Sequence, residues 1–432
     1  MRSHDGRTIV PMGFRWTKAR GRWRSGAALA SLLAAILAAC QGEPVPAGGA
    51  MPAEATATLP ASPVPVVTPG LDGNPPVSSS ERGMAEMLRT RFPGLDPSIK
   101  SIELTELRDG GPGKDGIPAI DEPVFVSQVE GDGYLDDQEP VISLAVGGEA
   151  RAYPIQILTW HEIANDTVGG TPVAVTFCPL CNTAIVFNRR ADGEERTFGV
   201  SGLLRRSDLV MYDRTNESLW QQITGEAIVG VDTGTRLEFL PSQIVSWGDF
   251  KRTYPGALVL SRDTGHERPY GTNPYLGYDR IGSSTLFPVP EFADERLDAK
   301  ERVLTVERGG ETVAFPFSAL SEHVVLEVEV EGQPVVAFWQ PGVLSPLDGE
   351  FIVGGRNVGA AAAFSPTLRG ERLRFEARGE EIVDAGTGSV WSVLGRAVSG
   401  PLEGEALEPV VSANHFWFSW GVFKPETRVI RE

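Results

Sequence analysis

Apolar and polar residues alternate with a period of two along much of the chain beyond residue 80. The clearest case is VVLEVEVEGQPVVAFW, residues 324–339, in which valines and acidic residues take turns up to a Glu331-Gly332 pair. This pattern predicts a strand, a tight turn and a returning strand. Just before it, FPFSALSEH opens on a proline suited to a first helical turn and then spaces its apolar residues close to the helical period. Runs longer than ten residues with that period are few, and glycine and proline are abundant, at 49 and 33. The pattern predicts a mainly β fold with short helices, of the α+β kind.

The same pattern occurs twice. LDDQEPVISLAVGGEARAYPIQILTWHEIANDTVGGTPVAVTFCP, from Leu135, aligns without a gap on LDAKERVLTVERGGETVAFPFSALSEHVVLEVEVEGQPVVAFWQP, from Leu297. Further matches follow in the same order, Asp213 with Asp384, Ser218 with Ser389 and Trp220 with Trp391 among them. A tandem duplication is therefore expected, with copies near 117–260 and 287–430, giving a first lobe over 81–280 and a second, diverged lobe over 281–432. Residues such as Asp213 and Trp220 that recur in both copies read as turn and core, not chemistry.

The first eighty residues do not follow the alternation. A basic stretch up to Arg24 precedes ALASLLAAILAAC, an apolar run too short for a spanning helix, which needs ~20 residues. Residues 1–39 are read as a signal peptide. Leu37-Ala38-Ala39-Cys40 resembles the lipobox of bacterial lipoproteins, which implies cleavage before Cys40 and a lipid on its sulfur. From residue 40 to 80 the chain is rich in Pro, Ala, Thr, Ser and Gly and cannot bury a core, so it reads as a flexible tether. The expected location is extracytoplasmic, with the lipid anchor on a bacterial membrane as the one partner implied. The formal charge of −18 argues against nucleic acid, and removing the basic leader leaves the remainder more acidic still.

Candidate chemistry centres on AVTFCPLCNTAIVF, residues 174–187, which holds two of the three cysteines. Apolar β-rich runs on both sides place Cys178 and Cys181 in a turn between strands. Thioredoxin-like sites put such a pair at a helix N-terminus instead. A Cys-Pro-x-Cys turn between strands is the shape of a metal knuckle, and His161, His266 and nearby carboxylates are the candidates to complete a site for a soft ion, copper or zinc, with the two histidines taken first. Two other readings stay open: a redox or catalytic thiol pair, with Asp208 and Arg205 as further catalytic candidates, and a disulfide or inert pair. His161 is ambiguous because His323 holds its place in the second copy, where Gln340 and Val343 replace the cysteines. Arg206, Tyr212, Arg268, Tyr270 and Tyr275 lie in segments that the second copy lacks and are candidates for a binding cleft. No Gly-x-Ser-x-Gly elbow, phosphate loop or His-Glu-x-x-His is present.

KDGIPAID, the segment from Glu139 through Phe187, FGVSGLLRRSDLVMYDRTNESLWQQITGEAIVG and YPGALVLSRDTGHERPYGTNPY together resemble the bacterial and archaeal family called domain of unknown function 3179, densely over about 114–280. The resemblance implies an extracytoplasmic protein with Cys-Pro-Leu-Cys as its most chemical-looking feature. It brings no activity with it. The leading expectation is a lipid-anchored protein that binds a soft metal ion in its first lobe. A thiol-dependent enzyme and a non-catalytic envelope scaffold are the rivals.

Overall fold

Alternating segments from residue 100 onward form short antiparallel strands, while the six α-helices among the described residues reach ten residues at most. The structure, a computed structural model, describes residues 77–432; the expected signal peptide, Cys40 and most of the tether lie outside the described residues. The chain is mainly β, as the alternation predicts. No helix among the described residues is long and apolar enough to cross a membrane.

Three sheets build the first half. One joins Pro140–Val146, Glu149–Pro154 and Ser242–Ser246, with Leu258–Leu260 added in parallel. A second joins Ile163–Val168, Thr171–Cys178 and Thr183–Asn188, and a third is organised around the hairpin of Phe198–Arg205 with Asp208–Asp213. The order recurs after residue 300. Arg302–Arg308, Glu311–Pro316 and Ser412–Phe416 pair as their earlier counterparts do, with Arg428–Val429 again parallel. Register recurs too: Val141 faces Pro154 as Val303 faces Pro316, and Ile163 faces Thr176 as Val325 faces Phe338.

The two short helices, Ile155–His161 and Phe317–His323, start in the same way. Pro154 and Pro316 are both extended N-cap residues, which puts Pro316 just before the first helical turn expected to contain it. Each helix stops when the next residue enters the left-handed region, Glu162 at φ 59° and Val324 at φ 64°. For a β-branched valine that conformation is strained, so the surrounding sheet imposes it. The recurring Trp220 and Trp391 are buried and donate through Nε1 to Asp213 and Asp384 respectively, which places all four in the frame.

The halves interlock. One core cluster takes Cys178, Cys181, Phe187, Phe198 and Trp220 from the first half together with Phe416 and Phe418 from the second. The Phe416 N–H donates to the Cys181 carbonyl at 2.8 Å, and Thr183 Oγ1 lies 2.8 Å from His415 Nδ1. Burying these aromatic faces supplies the main attraction across the seam, because apolar area removed from water contributes roughly 25 cal/mol per Å².

Candidate metal centre

The strand Thr171–Cys178 alternates apolar residues through Val173, Val175 and Phe177 and ends on Cys178, whose register partner is Thr183. Between them Pro179-Leu180-Cys181-Asn182 forms the turn, closed by the Cys181 N–H on the Cys178 carbonyl and relieved by Asn182 at φ 50°. Both cysteines are therefore held in a hairpin turn, buried and free of a disulfide. No helix begins there to favour a thiolate.

Asp208 arrives from a second hairpin. Arg206 and Ser207 form its turn at φ 52° and 67°, a pair of left-handed residues where Asn-Gly is the unstrained choice. The turn aims the Ser207 carbonyl at Cys181 Sγ, which donates to it at 3.3 Å, and drives Asp208 into the core. Gln221 Nε2 and the Ile223 N–H donate to Asp208 Oδ2 at 2.5 and 3.0 Å. Its Oδ1 is buried without a hydrogen-bond partner. The ligand atoms of Cys178, Cys181 and Asp208 all lie within 4.8 Å of one another. Four of the ten non-glycine residues in left-handed backbone among the described residues, Glu162, Asn182, Arg206 and Ser207, border this set. Strain of that kind persists where the rest of the fold over-determines it.

Burial dominates the electrostatics. It pushes both thiols up, with Asp208 opposing their ionisation further. It raises Asp208 to about 6, against hydrogen bonds from Gln221, Ile223, the Cys181 thiol and Leu209, and it raises Glu162, assisted by Asp208, to about 8. The set is thus buried and contains acids in excess. Lys300, from the second half, is pushed down to about 7 by burial, while Cys181 and Asp279 favour its ammonium.

His161 stands at the end of its helix and is not among the donor atoms grouped with the cysteines. Its Nδ1 lies 2.7 Å from the Pro118 carbonyl, which assigns the proton to that nitrogen, and Nε2 accepts from the Tyr270 hydroxyl at 2.6 Å. Burial lowers it to about 4. His266 packs beside it, ring centroids 5.5 Å apart. The compact set is therefore Cys178, Cys181 and Asp208, in place of the expected Cys178, Cys181, His161 and His266. Both ring nitrogens of His161 are already engaged, by Pro118 and Tyr270, while the next residue, Glu162, is close enough to Cys178 and Asp208 for their charges to oppose one another.

The remaining candidates disperse. Arg205 is paired with Glu106 at 2.8 Å, and Arg206 donates to the Val422 carbonyl on the rim of a surface cavity of about 640 Å³ shared with Phe292 and Phe423. Tyr212 donates to Asp115, Arg268 is half-buried in the loop that follows His266, and Tyr270 belongs to the His161 cluster. Only Tyr275 lies by the site, where burial first, and then Glu162 and Cys178, raise its phenol. These residues do not share one cleft. Sequence reasoning missed Glu162 and Lys300, although the self-alignment sets them against Val324 and Gln138.

A β protein in which two interlocked halves enclose a buried Cys-Cys-Asp set is the class that fold and site define. The family described as Protein of unknown function (DUF3179) matches residues 114–427, and the chain belongs to it. The match runs through both halves, beyond the 114–280 segment that carries the densest motifs. No curated protein and no solved structure matches the chain.

Proposed function

We propose that this is a lipid-anchored extracytoplasmic protein whose first half holds a soft metal ion, zinc or copper, through Cys178, Cys181 and Asp208. The observation that carries the reading is a set of three buried donors within 4.8 Å, one of them an acceptor oxygen with no partner. A buried unpartnered carboxylate oxygen is costly, and a bound cation removes that cost. Metal coordination also deprotonates the thiols that burial otherwise keeps neutral. The same neutrality disfavours thiol-redox catalysis, since the thiolate is the nucleophile and a reactive cysteine needs a lowered pKa, not a raised one. The anchor rests on the Leu37-Ala38-Ala39-Cys40 sequence, and the acidic charge speaks against nucleic-acid partners.

The test is metal content per chain in protein produced without the leader and exposed to zinc, against a Cys178→Ser/Cys181→Ser variant. About one ion in the first and none in the second is expected. Negligible metal in both overturns the proposal and leaves the pair inert.

A further inference from the structure

The second half contributes to this site through Lys300. The matched segments 135–139 and 297–301 are held by the same main-chain bonds. Gly248 and Trp247 donate to the carbonyls of Asp137 and Glu139, and Phe418 and Trp417 donate to those of Ala299 and Glu301. The residue between each pair of bonds is Gln138 in the first half and Lys300 in the second. Gln138 is exposed, whereas Lys300 is 1% exposed.

Nothing in the frame requires a buried lysine, because the same frame carries a solvated glutamine. The burial of Lys300 is specific. Its ammonium lies 3.0 Å from the Tyr278 ring centroid and 5.0 and 5.4 Å from those of Phe416 and Phe418, and it donates to the Tyr278 carbonyl at 3.1 Å. That carbonyl is its one hydrogen-bond acceptor among the described residues, which leaves the other two N–H donors of an ammonium unmatched. Tyr278 in turn donates through its hydroxyl to the Leu180 carbonyl, inside the Cys178–Cys181 turn. Burial disfavours the ammonium, and of the groups that offset this an ionised Cys181 does so most, ahead of Asp279. An aromatic cage thus holds a desolvated cation against the metal-binding turn.

We propose that Lys300 is a positioning residue for the metal centre, a counter-ion from the second half that balances the bound thiolates and matches the site to a divalent ion. The inference rests on the metal reading above. Two thiolates and the Asp208 carboxylate carry three negative charges, the Lys300 ammonium one positive charge, and a divalent ion completes neutrality in a buried core, where uncompensated charge is costly. A monovalent ion such as Cu⁺ leaves one negative charge over.

The experiment titrates the leaderless full chain with Zn²⁺ and, anaerobically, with Cu⁺ against chromophoric competitors, in wild type, Lys300→Met and Lys300→Gln. The glutamine variant copies the residue that the same frame carries at position 138, which guards against loss of fold. In both variants Cu⁺ affinity should fall about tenfold or more, the usual size of losing an outer partner of a metal site, and zinc affinity should fall less, because without the ammonium two negative charges stay uncompensated around Cu⁺ and only one around zinc, so the zinc-to-copper preference rises. A merely structural lysine would weaken both ions alike. Wild type that binds zinc, with an unchanged preference in the variants, overturns the role of Lys300 alone. Wild type that binds neither ion overturns both this inference and the metal site.

Discussion

The two halves of this protein share a frame and differ in what fills it. The Ile155–His161 and Phe317–His323 helices stop on the same left-handed residue, yet that residue is Glu162 in one half and Val324 in the other. The hairpin turns that follow carry Cys178 and Cys181 in one and Gln340 and Val343 in the other. The hairpin bearing buried Asp208 has as its counterpart Phe375–Arg378 with Glu381–Asp384, whose turn is exposed. Because Val324 endures the same strained backbone with no polar role, the strain belongs to the architecture. The acids and thiols are what the first half adds. The comparison separates the shared frame from the candidate site inside one molecule.

The largest effects should fall on the frame and should be equal in the two halves. Trp220→Ala and Trp391→Ala each remove a buried indole and its bond to a turn aspartate, and each should cost about 3–5 kcal/mol in denaturant unfolding. A much smaller cost for Trp391→Ala would show that the second half is not built on the same anchor. Next, Asp208→Ala should weaken zinc binding on the order of 100-fold while leaving the fold intact, since it deletes a ligand whose free oxygen is already a burden. Its counterpart on the exposed hairpin, Glu381→Ala, should leave zinc binding unchanged.

A smaller effect concerns pH. In the native state burial raises Glu162 from 4.5 to about 8, so the folded protein keeps a proton that the unfolded chain releases. Stability of the metal-free protein should therefore decline as pH rises between about 4.5 and about 8. Glu162→Gln should remove that part of the decline and stabilise the protein at pH 8 on the order of 1–3 kcal/mol. Thermal melts at pH 5 and pH 8 check this, and an unchanged pH profile in the variant would refute it. The smallest effect is expected at the histidine cluster. Tyr270→Phe breaks the hydroxyl contact with His161 Nε2 but should leave metal content unchanged, and a loss of metal would restore His161 to the site.

Much of the frame was legible in the sequence, because period-two alternation around Gly-Gly and Glu-Gly turns specifies hairpins locally. The turn at Cys178-Pro179-Leu180-Cys181 was legible for the same reason. The candidate donor set was legible only in part. The cysteines announce themselves by rarity, but choosing between His161 and Asp208 depends on which partners engage the His161 ring and on how deep the hairpin of residues 205–208 is buried. Neither is a local property. Lys300 was hidden further, because it lies more than a hundred residues from Cys181 and reaches it only when the halves interlock.

The most direct test of the central claim is X-ray absorption at the zinc edge on zinc-loaded leaderless protein. Two sulfur neighbours at ~2.3 Å with oxygen at ~2.0–2.2 Å in the first shell are the predicted result, and both sulfurs should disappear in Cys178→Ser/Cys181→Ser. A first shell made only of nitrogen and oxygen in the wild type would contradict the account.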